Sequence, residues 1–321
     1  LLSVVHYTAV VARTEDQVAT NDTLSSVLSA VRLTGALFFD VAARAPWVAE
    51  APAAKQLGPQ LLPGSEHVIN YHVVVEGSCW ASIIDEPPLQ LQLGPGDVVV
   101  FPQGDAHVMS SAPGMRGPSS LEWFLPNGRQ LPILVNLGNN GEPAHIVCGF
   151  LGCNATPFNP LLATLPRVIC LRRGSAGAEL DHLLKLALSE SSHARPGSDC
   201  VLTRLSEVLF IEVVRQHMAT APSNNTGWLA GLRDEHVGRA LALLHRAPGR
   251  TWTLDELARD VGLSRSMLAE RFVHFVGDTP MHYLAKWRMQ IAAGLLTRGT
   301  ASLVEVAAQV GYTSEAAFSR A

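Results

Sequence analysis

The chain has 321 residues, 47% of them apolar and 16% charged, with a formal net charge of −4. That composition suits a folded chain with two hydrophobic cores and excludes intrinsic disorder. No apolar run approaches the roughly 18 residues of a membrane-spanning helix, and five cysteines, an odd number, argue against a secreted disulfide framework. The opening LLSVVHYTAVVA is apolar but lacks a basic flank and a small-residue cleavage site, so a signal peptide is not expected and a cytoplasmic location follows. Residues 1 to about 22 carry little pattern. Leu24 to Val31 has the spacing of a short amphipathic helix, and Gly35 to Phe39 reads as a first strand.

Short apolar runs broken by proline and glycine follow: Trp47-Val48, His67 to Val75, Cys79 to Ile84, Leu89 to Leu93, Val98 to Phe101, Glu122 to Phe124 and His145 to Phe150. Such spacing predicts a β-barrel or double-sheet roll. Within it, Gly96-x5-Pro102-x-Gly104-x2-His107 sets a glycine turn, a strand, a Pro-x-Gly reversal and a histidine in succession. This stretch resembles the second motif of the cupin barrels, with Ser111 where an asparagine often stands. The first cupin motif is half present: His72-x3-Glu76 has the spacing, and Asn70 replaces the other histidine.

Beyond the barrel the period becomes helical. Leu180, Leu183, Leu184, Ala187 and Leu188 form one stripe, and Leu202, Leu205, Val208, Leu209, Glu212 and Val213 another. From the residues alone the pair reads as a hairpin covering the open side of the barrel, which does not preclude a further role for its outer surface. Ala221-Pro222-Ser223-Asn224-Asn225-Thr226-Gly227 reads as a linker. The division expected is therefore 1–175 for the barrel, 176–225 for the helical pair and 226–321 for an all-α remainder. The fold class is α+β.

The remainder holds one supersecondary unit written twice. Leu257-Ala258-x-x-Val261-Gly262 and Val306-Ala307-x-x-Val310-Gly311 match at an offset of 49. In each, a small alanine lets a second helix cross closely, and a glycine takes the positive φ that ends the first helix. Ser264 and Ser314 then stand where an N-cap is wanted. Helix, tight turn and crossing helix make a helix-turn-helix, whose second helix fits a major groove. Between the copies, Thr279-Pro280 opens a long helix whose apolar residues (Tyr283, Leu284, Trp287, Ile291, Leu295, Leu296) keep helical spacing. It would hold two reading heads at a fixed separation. Two ordinary helical hairpins are the structural alternative, and the duplication weighs against them.

These landmarks, with Phe272, Gly277-x-x-Pro280, Arg288, Ala292 and above all GYTSEAAFSRA, resemble the C-terminal DNA-binding domain of the AraC/XylS family of bacterial transcription regulators. The region from Tyr71 to Ile169 likewise resembles the cupin-like sensor domain of one subgroup of that family, which includes oxidant-responsive regulators. The resemblance implies a sequence-specific DNA-binding regulator, homodimeric through the helical pair, acting with RNA polymerase in response to a small-molecule or redox signal. It also implies that the second recognition helix continues beyond Ala321.

Groove-facing residues of a recognition helix recur at i, i+3, i+4. From the Ser264 cap this selects Arg265, Ser266, Ala269, Glu270 and Val273; from Ser314 it selects Glu315, Ala316, Ser319 and Arg320. The amides after Ser264 and Ser314, with Arg288 or Arg298, are candidates for phosphate contact, and Arg288 is equally a structural ion-pair candidate. From Trp228 onward 11 basic residues stand against 9 acidic, a net of +2, so placed contacts matter more than bulk charge. In the barrel three readings compete. His72, Glu76 and His107 could hold a divalent metal, as in a metal-dependent cupin enzyme, the alternative function. Cys148 and Cys153 could form a thiol switch or join the histidines on zinc. Or the barrel takes a small apolar effector against Trp80, Phe101 and Trp123.

Overall fold

The computed structural model describes residues 22–62, 64–84, 89–118, 133–174, 177–193, 195–222, 225–299 and 301–320. Trp123 and the run from Glu122 to Phe124 lie outside them. Helix α1 (Thr23–Val31) is capped by Asp22, whose side chain accepts the Ser25 N–H. Strands β1 (Thr34–Arg44) and β2 (Val48–Ala51) precede a short α2 (Ala54–Leu61). Then come β3 (His67–Glu76), β4 (Cys79–Ile83), β5 (Leu91–Leu93), β6 (Val98–Phe101), β7 (His107–Ser110), β8 (Ile133–Gly138) and β9 (Pro143–Cys153). Helix α3 (Pro160–Thr164) and β10 (Ile169–Leu171) close the β region.

The strands form two facing sheets, a six-stranded one ordered β10-β6-β3-β9-β1-β8 and a four-stranded one ordered β2-β7-β4-β5. Side chains alternate across each strand. On β3, Val68 and Val74 enter the core between the sheets, while Ile69, Tyr71 and Val73 turn outward to a second core. Covering both faces explains why β6 reads as an unbroken apolar run, Val98 and Val100 facing one core and Val99 and Phe101 the other. The expected strands that fall on described residues are present; α2, α3, β8 and β10 are too short or too interrupted to announce themselves, and β8 pairs with β1 in parallel.

Helices α4 (Gly177–Ser192) and α5 (Ser198–Thr220) form a hairpin over the outer face of the larger sheet. Leu202, Leu205, Leu209, Phe210 and Val213 make up the buried stripe of α5, and Leu180 and Leu184 that of α4. Tyr71 reaches across this contact to place its hydroxyl 2.7 Å from Ser206 Oγ. Its ring lies over Gly149 on β9, where an added Cβ would sit 2.2 Å from the ring, so only glycine fits. Val208 is exposed, not part of the buried stripe.

After residues 221–227 the chain is wholly helical: α6 (Trp228–Arg233), α7 (Glu235–Arg246), α8 (Leu254–Asp260), α9 (Arg265–Val276), α10 (Pro280–Arg298), α11 (Leu303–Gln309) and α12 (Glu315–Ser319). One apolar cluster runs continuously from the outer barrel face through α5 to Trp228, Leu241, Phe272 and Trp287. The helical remainder is therefore packed against the β region. No helix among the described residues is long and apolar enough to cross a membrane.

Candidate functional sites in the paired helical units and the barrel

The two repeats match down to individual hydrogen bonds. Helices α8 and α11 each open with a reciprocal capping box, Thr253 with Glu256 and Ser302 with Glu305. Each ends on a glycine in the left-handed region, Gly262 at φ 76° and Gly311 at φ 85°. Beyond it the Leu263 N–H donates to Ala258 C=O and the Tyr312 N–H to Ala307 C=O, both at 2.9 Å. Ala258 and Ala307 are buried at the crossing. The next helices, α9 and α12, start with Ser264 and Ser314 accepting the Met267 and Ala317 N–H groups. Both units are helix-turn-helices.

Helix α10 carries both. Tyr283 meets the Phe272 ring of the first unit edge-on at 5.7 Å. About two to three turns further along, Ile291, Ala292 and Leu295 pack on Val306 and Val310 of the second. Arg288 is a strut between the units. Its Nε donates to Pro248 C=O at 2.8 Å, its Nη2 to Arg250 C=O at 2.9 Å, and the guanidinium lies over the Tyr312 ring. Burial lowers its pKa from the usual guanidinium value. This corrects its candidacy for phosphate contact: its donors already hold the 248–250 turn. Arg298 Nε bonds back to Gly294 C=O of its own helix at 3.1 Å.

Ser264, Arg265, Ser266 and Glu270 are exposed on α9, as is Val273, whereas Ala269 is half-buried. Ser314, Glu315, Ala316, Ser319 and Arg320 are all exposed at α12. Leu268 and Phe272 form the buried side of α9. Arg265 makes only a 3.4 Å contact with exposed Asp255, which leaves it available. Arg271 instead grips Asp234 through both Nε and Nη2. Burial alone would raise the Asp234 pKa, but the Arg271 bonds and the α7 amides hold it below the usual carboxylate range. Asp234 thereby caps α7 and fastens α9 to it.

In the barrel, His72 on the larger sheet and His107 on the smaller one meet across the interior, Nε2 to Nε2 at 2.7 Å. His107 Nδ1 lies 2.8 Å from Asp105 C=O, an acceptor, so Nδ1 carries the proton and Nε2 accepts from His72 Nε2–H. Burial pushes both pKa values down, His72 well below the imidazole value with the neighbouring His107 adding to it, and His107 to about 4. Both rings stay neutral. Beside them lies a cavity of about 70 Å³ lined by Phe39, Trp47, Met109, Ile146 and Phe150, with His72, His107 and Cys148 the titratable side chains on its wall among the described residues.

A divalent metal does not fit these donors. The facing histidine nitrogens already share one proton, and Glu76 is exposed beyond a β-bulge at the end of β3. Among the described residues no three His, Cys, Asp or Glu side chains converge. Asn70 is fully buried and bonds to neither histidine. The joint role for Cys148 and Cys153 is also corrected. Five residues apart on one strand, they lie roughly 16 Å apart and face opposite ways, Cys148 to the cavity and Cys153 to the outer core. Disulfide geometry needs Cα atoms within about 7 Å. Burial raises both thiols, Cys153 to about 12, so neither is a ready thiolate. Of the expected aromatic wall, Trp80 does not line the cavity and Phe101 stacks on His107 at 3.9 Å. Phe39 and Trp47 form the wall instead. Their alternation with Val41 and Ala49 was a signal in the sequence.

Comparison with known proteins agrees with this architecture. The Cupin family matches residues 22–219, and a Helix-turn-helix domain family matches 257–321. The chain is 31% identical over 255 residues to a putative AraC-like transcription regulator of Streptomyces lividans, covering 78% of this chain and 82% of that protein. A putative AraC-like transcription regulator of Streptomyces antibioticus is 32% identical over 258 residues, with the same coverage. The HTH-type transcriptional regulator AlkR of Acinetobacter baylyi is 29% identical over 256 residues, 78% of this chain and 82% of that one. With a Cupin match over the barrel and hairpin, a helix-turn-helix match over the paired units, and relatives above 30% identity over most of both chains, the chain belongs to the AraC-like transcription regulators and is a DNA-binding transcription factor.

Proposed function

We propose that residues 1–175 sense a small uncharged molecule of mainly apolar character, that 176–225 pair two copies, and that 226–321 read DNA in the cytoplasm. The observation that carries the DNA reading is the pair of helix-turn-helices with matching caps on one helix, α10. Arg265, Ser266, Ala269 and Glu270 read bases from α9, and Glu315, Ala316, Ser319 and Arg320 from α12. The Ser264 and Ser314 caps present amides to phosphates. Selection of operator sites from a random DNA pool tests this assignment. Replacing Arg265 and Arg320 by alanine is expected to relax base preference at one position in each half of the site. An unchanged consensus removes both from the reading set.

The lining of the barrel cavity favours the uncharged effector. Among the described residues no cation or carboxylate faces it, and the two histidines bond to each other, His107 also to the Asp105 carbonyl. The same bonding leaves them no part in metal-dependent catalysis, so the chain is read as a non-enzyme. Apolar cavities of this kind stay dry and take guests such as xenon or benzene. Xenon is expected to bind and raise the melting temperature; stabilisation by zinc or a short carboxylate, with none by xenon, would favour the metal or anion reading. Pairing of two copies is supported by large apolar side chains exposed on the hairpin, Leu186 on α4 and Val201 and Val208 on α5. Val208→Lys is expected to shift the protein towards monomer in sedimentation.

A further inference from the structure

Helix α10 fixes the spacing of the two reading heads, and it is not free of the β region. Its one deeply buried polar side chain among the described residues, Gln290, is 2% exposed. Gln290 Oε1 accepts the Phe158 N–H at 3.0 Å, and its Nε2 donates to Ala30 C=O at 3.3 Å. Ala30 lies in the last turn of α1, and Phe158 in the segment that follows β9. Both partners therefore belong to the β region, and the amide joins them across the interface. The Asn154 N–H donates to Val31 C=O at 2.8 Å, which ties this segment to the same end of α1. The Phe158 ring meets Tyr283 of α10 edge-on at 5.4 Å. One turn past Gln290, Arg32 Nη2 donates to Gly294 C=O at 3.2 Å.

The other end of this connection is the cavity. Strand β9 supplies Ile146, Cys148 and Phe150 to the cavity wall and runs straight on into the 154–158 segment. Glu66, just before β3, clamps that segment by accepting the Ala155 and Thr156 N–H groups. The cavity wall and the docking point of the spacer helix are thus a few residues apart on one covalent path. Gln290 is followed by Ile291, which packs against both the main cluster and the small core of the second head. A shift at Gln290 therefore moves the helix to which both heads are fixed.

We propose that Gln290 is the positioning residue through which the barrel sets the reading unit: its amide holds α10 to the end of β9 and to α1, and a cavity occupant that displaces β9 acts on DNA binding through that bond. This rests on the reading of the cavity as the effector site. A bond between elements with two arrangements is what physical coupling between sites requires.

The test is a double-mutant cycle on the full chain, read as affinity for the operator that the wild-type chain selects. Ala49→Leu fills the cavity and stands in for an occupant; Gln290→Met removes the amide at nearly constant shape. In the wild-type background the cavity substitution is expected to change operator affinity by about tenfold, within the usual range of inter-site coupling. With Met at 290 the change is expected to fall below about twofold. An equal change in both backgrounds overturns the role of Gln290 and leaves the cavity reading standing. No change in either background overturns the cavity reading and the coupling with it. Hydrogen exchange needs no substitution at 290: filling the cavity is expected to speed exchange of the Phe158 amide, and unaltered protection there overturns the proposal. A merely structural Gln290 would lower the melting temperature without touching the cycle.

Discussion

Three buried histidines stay neutral in this fold because their surroundings cannot solvate a charge. His245, its ring tilted against Trp287 at 4.1 Å with Nε2 2.8 Å from Tyr283 Oη, has its pKa pushed by burial to about 3. His107 is pushed to about 4, and His72 well below 6.5. The unfolded chain takes up these protons near pH 6.5 and the fold does not, so stability is complete above that pH and declines as pH falls. By pH 5 the loss is about 2 kcal/mol for each histidine. Urea unfolding between pH 7 and pH 5 is expected to show the uptake of two to three protons on unfolding, and a flat profile contradicts the burial of these rings. Of these residues, His72 and His107 were legible from a motif. His245 and Gln290 were not, since a polar residue in an apolar stripe looks the same whether it finds a buried partner or faces water. Gln290 did leave a trace, falling three residues after Trp287 on the buried side of α10.

At the scale of the element, the repeat predicts equivalence and the structure qualifies it. Gly262 and Gly311 occupy the same turn with the same left-handed backbone, so alanine at either costs about 1–2 kcal/mol from conformation alone. A Cβ at Gly262 meets nothing within 4 Å, whereas one at Gly311 would lie 2.5 Å from Gly249 C=O and 2.9 Å from Arg288 Nη2. Gly311→Ala is therefore expected to lower the melting temperature more than Gly262→Ala, and equal losses contradict the close approach of the 248–250 turn to the second unit. Removing an equivalent cap, Ser264→Ala or Ser314→Ala, is expected to cost about 1 kcal/mol each. Helices with caps, a 3.6 period and glycine stops were readable: α1, α4, α5 and α8 to α12 fall where the pattern put them. Helix α2, with Gly58 and Pro59 inside it, and three-residue β10 carry too little periodicity to be seen. The parallel pairing of β8 with β1 depends on tertiary context that no local pattern encodes.

At the scale of the molecule, the barrel and the paired reading heads were both legible, because a duplication and a spaced turn motif survive without coordinates. How the two are joined was not. The continuous apolar cluster from β3 to Trp287 and the hydrogen bonds of Ala30 and Arg32 to α10 link positions roughly 200 or more residues apart, which sequence spacing cannot express. The metal and paired-thiol readings failed for a related reason: spacing fixes which face of a strand a residue takes only when the bulge at Val74 and the five-residue step from Cys148 to Cys153 are known to lie in regular β structure. The central claim is that Arg288, Tyr283 and the small core around Ala292 hold two heads so that both lie on one face of a duplex. Hydroxyl-radical footprinting of the full chain on its selected operator tests it most directly. The account predicts two protected blocks about one helical turn (~34 Å) apart on the same face, with Arg320→Ala weakening the second alone. A single block, or two on opposite faces of the duplex, would contradict it.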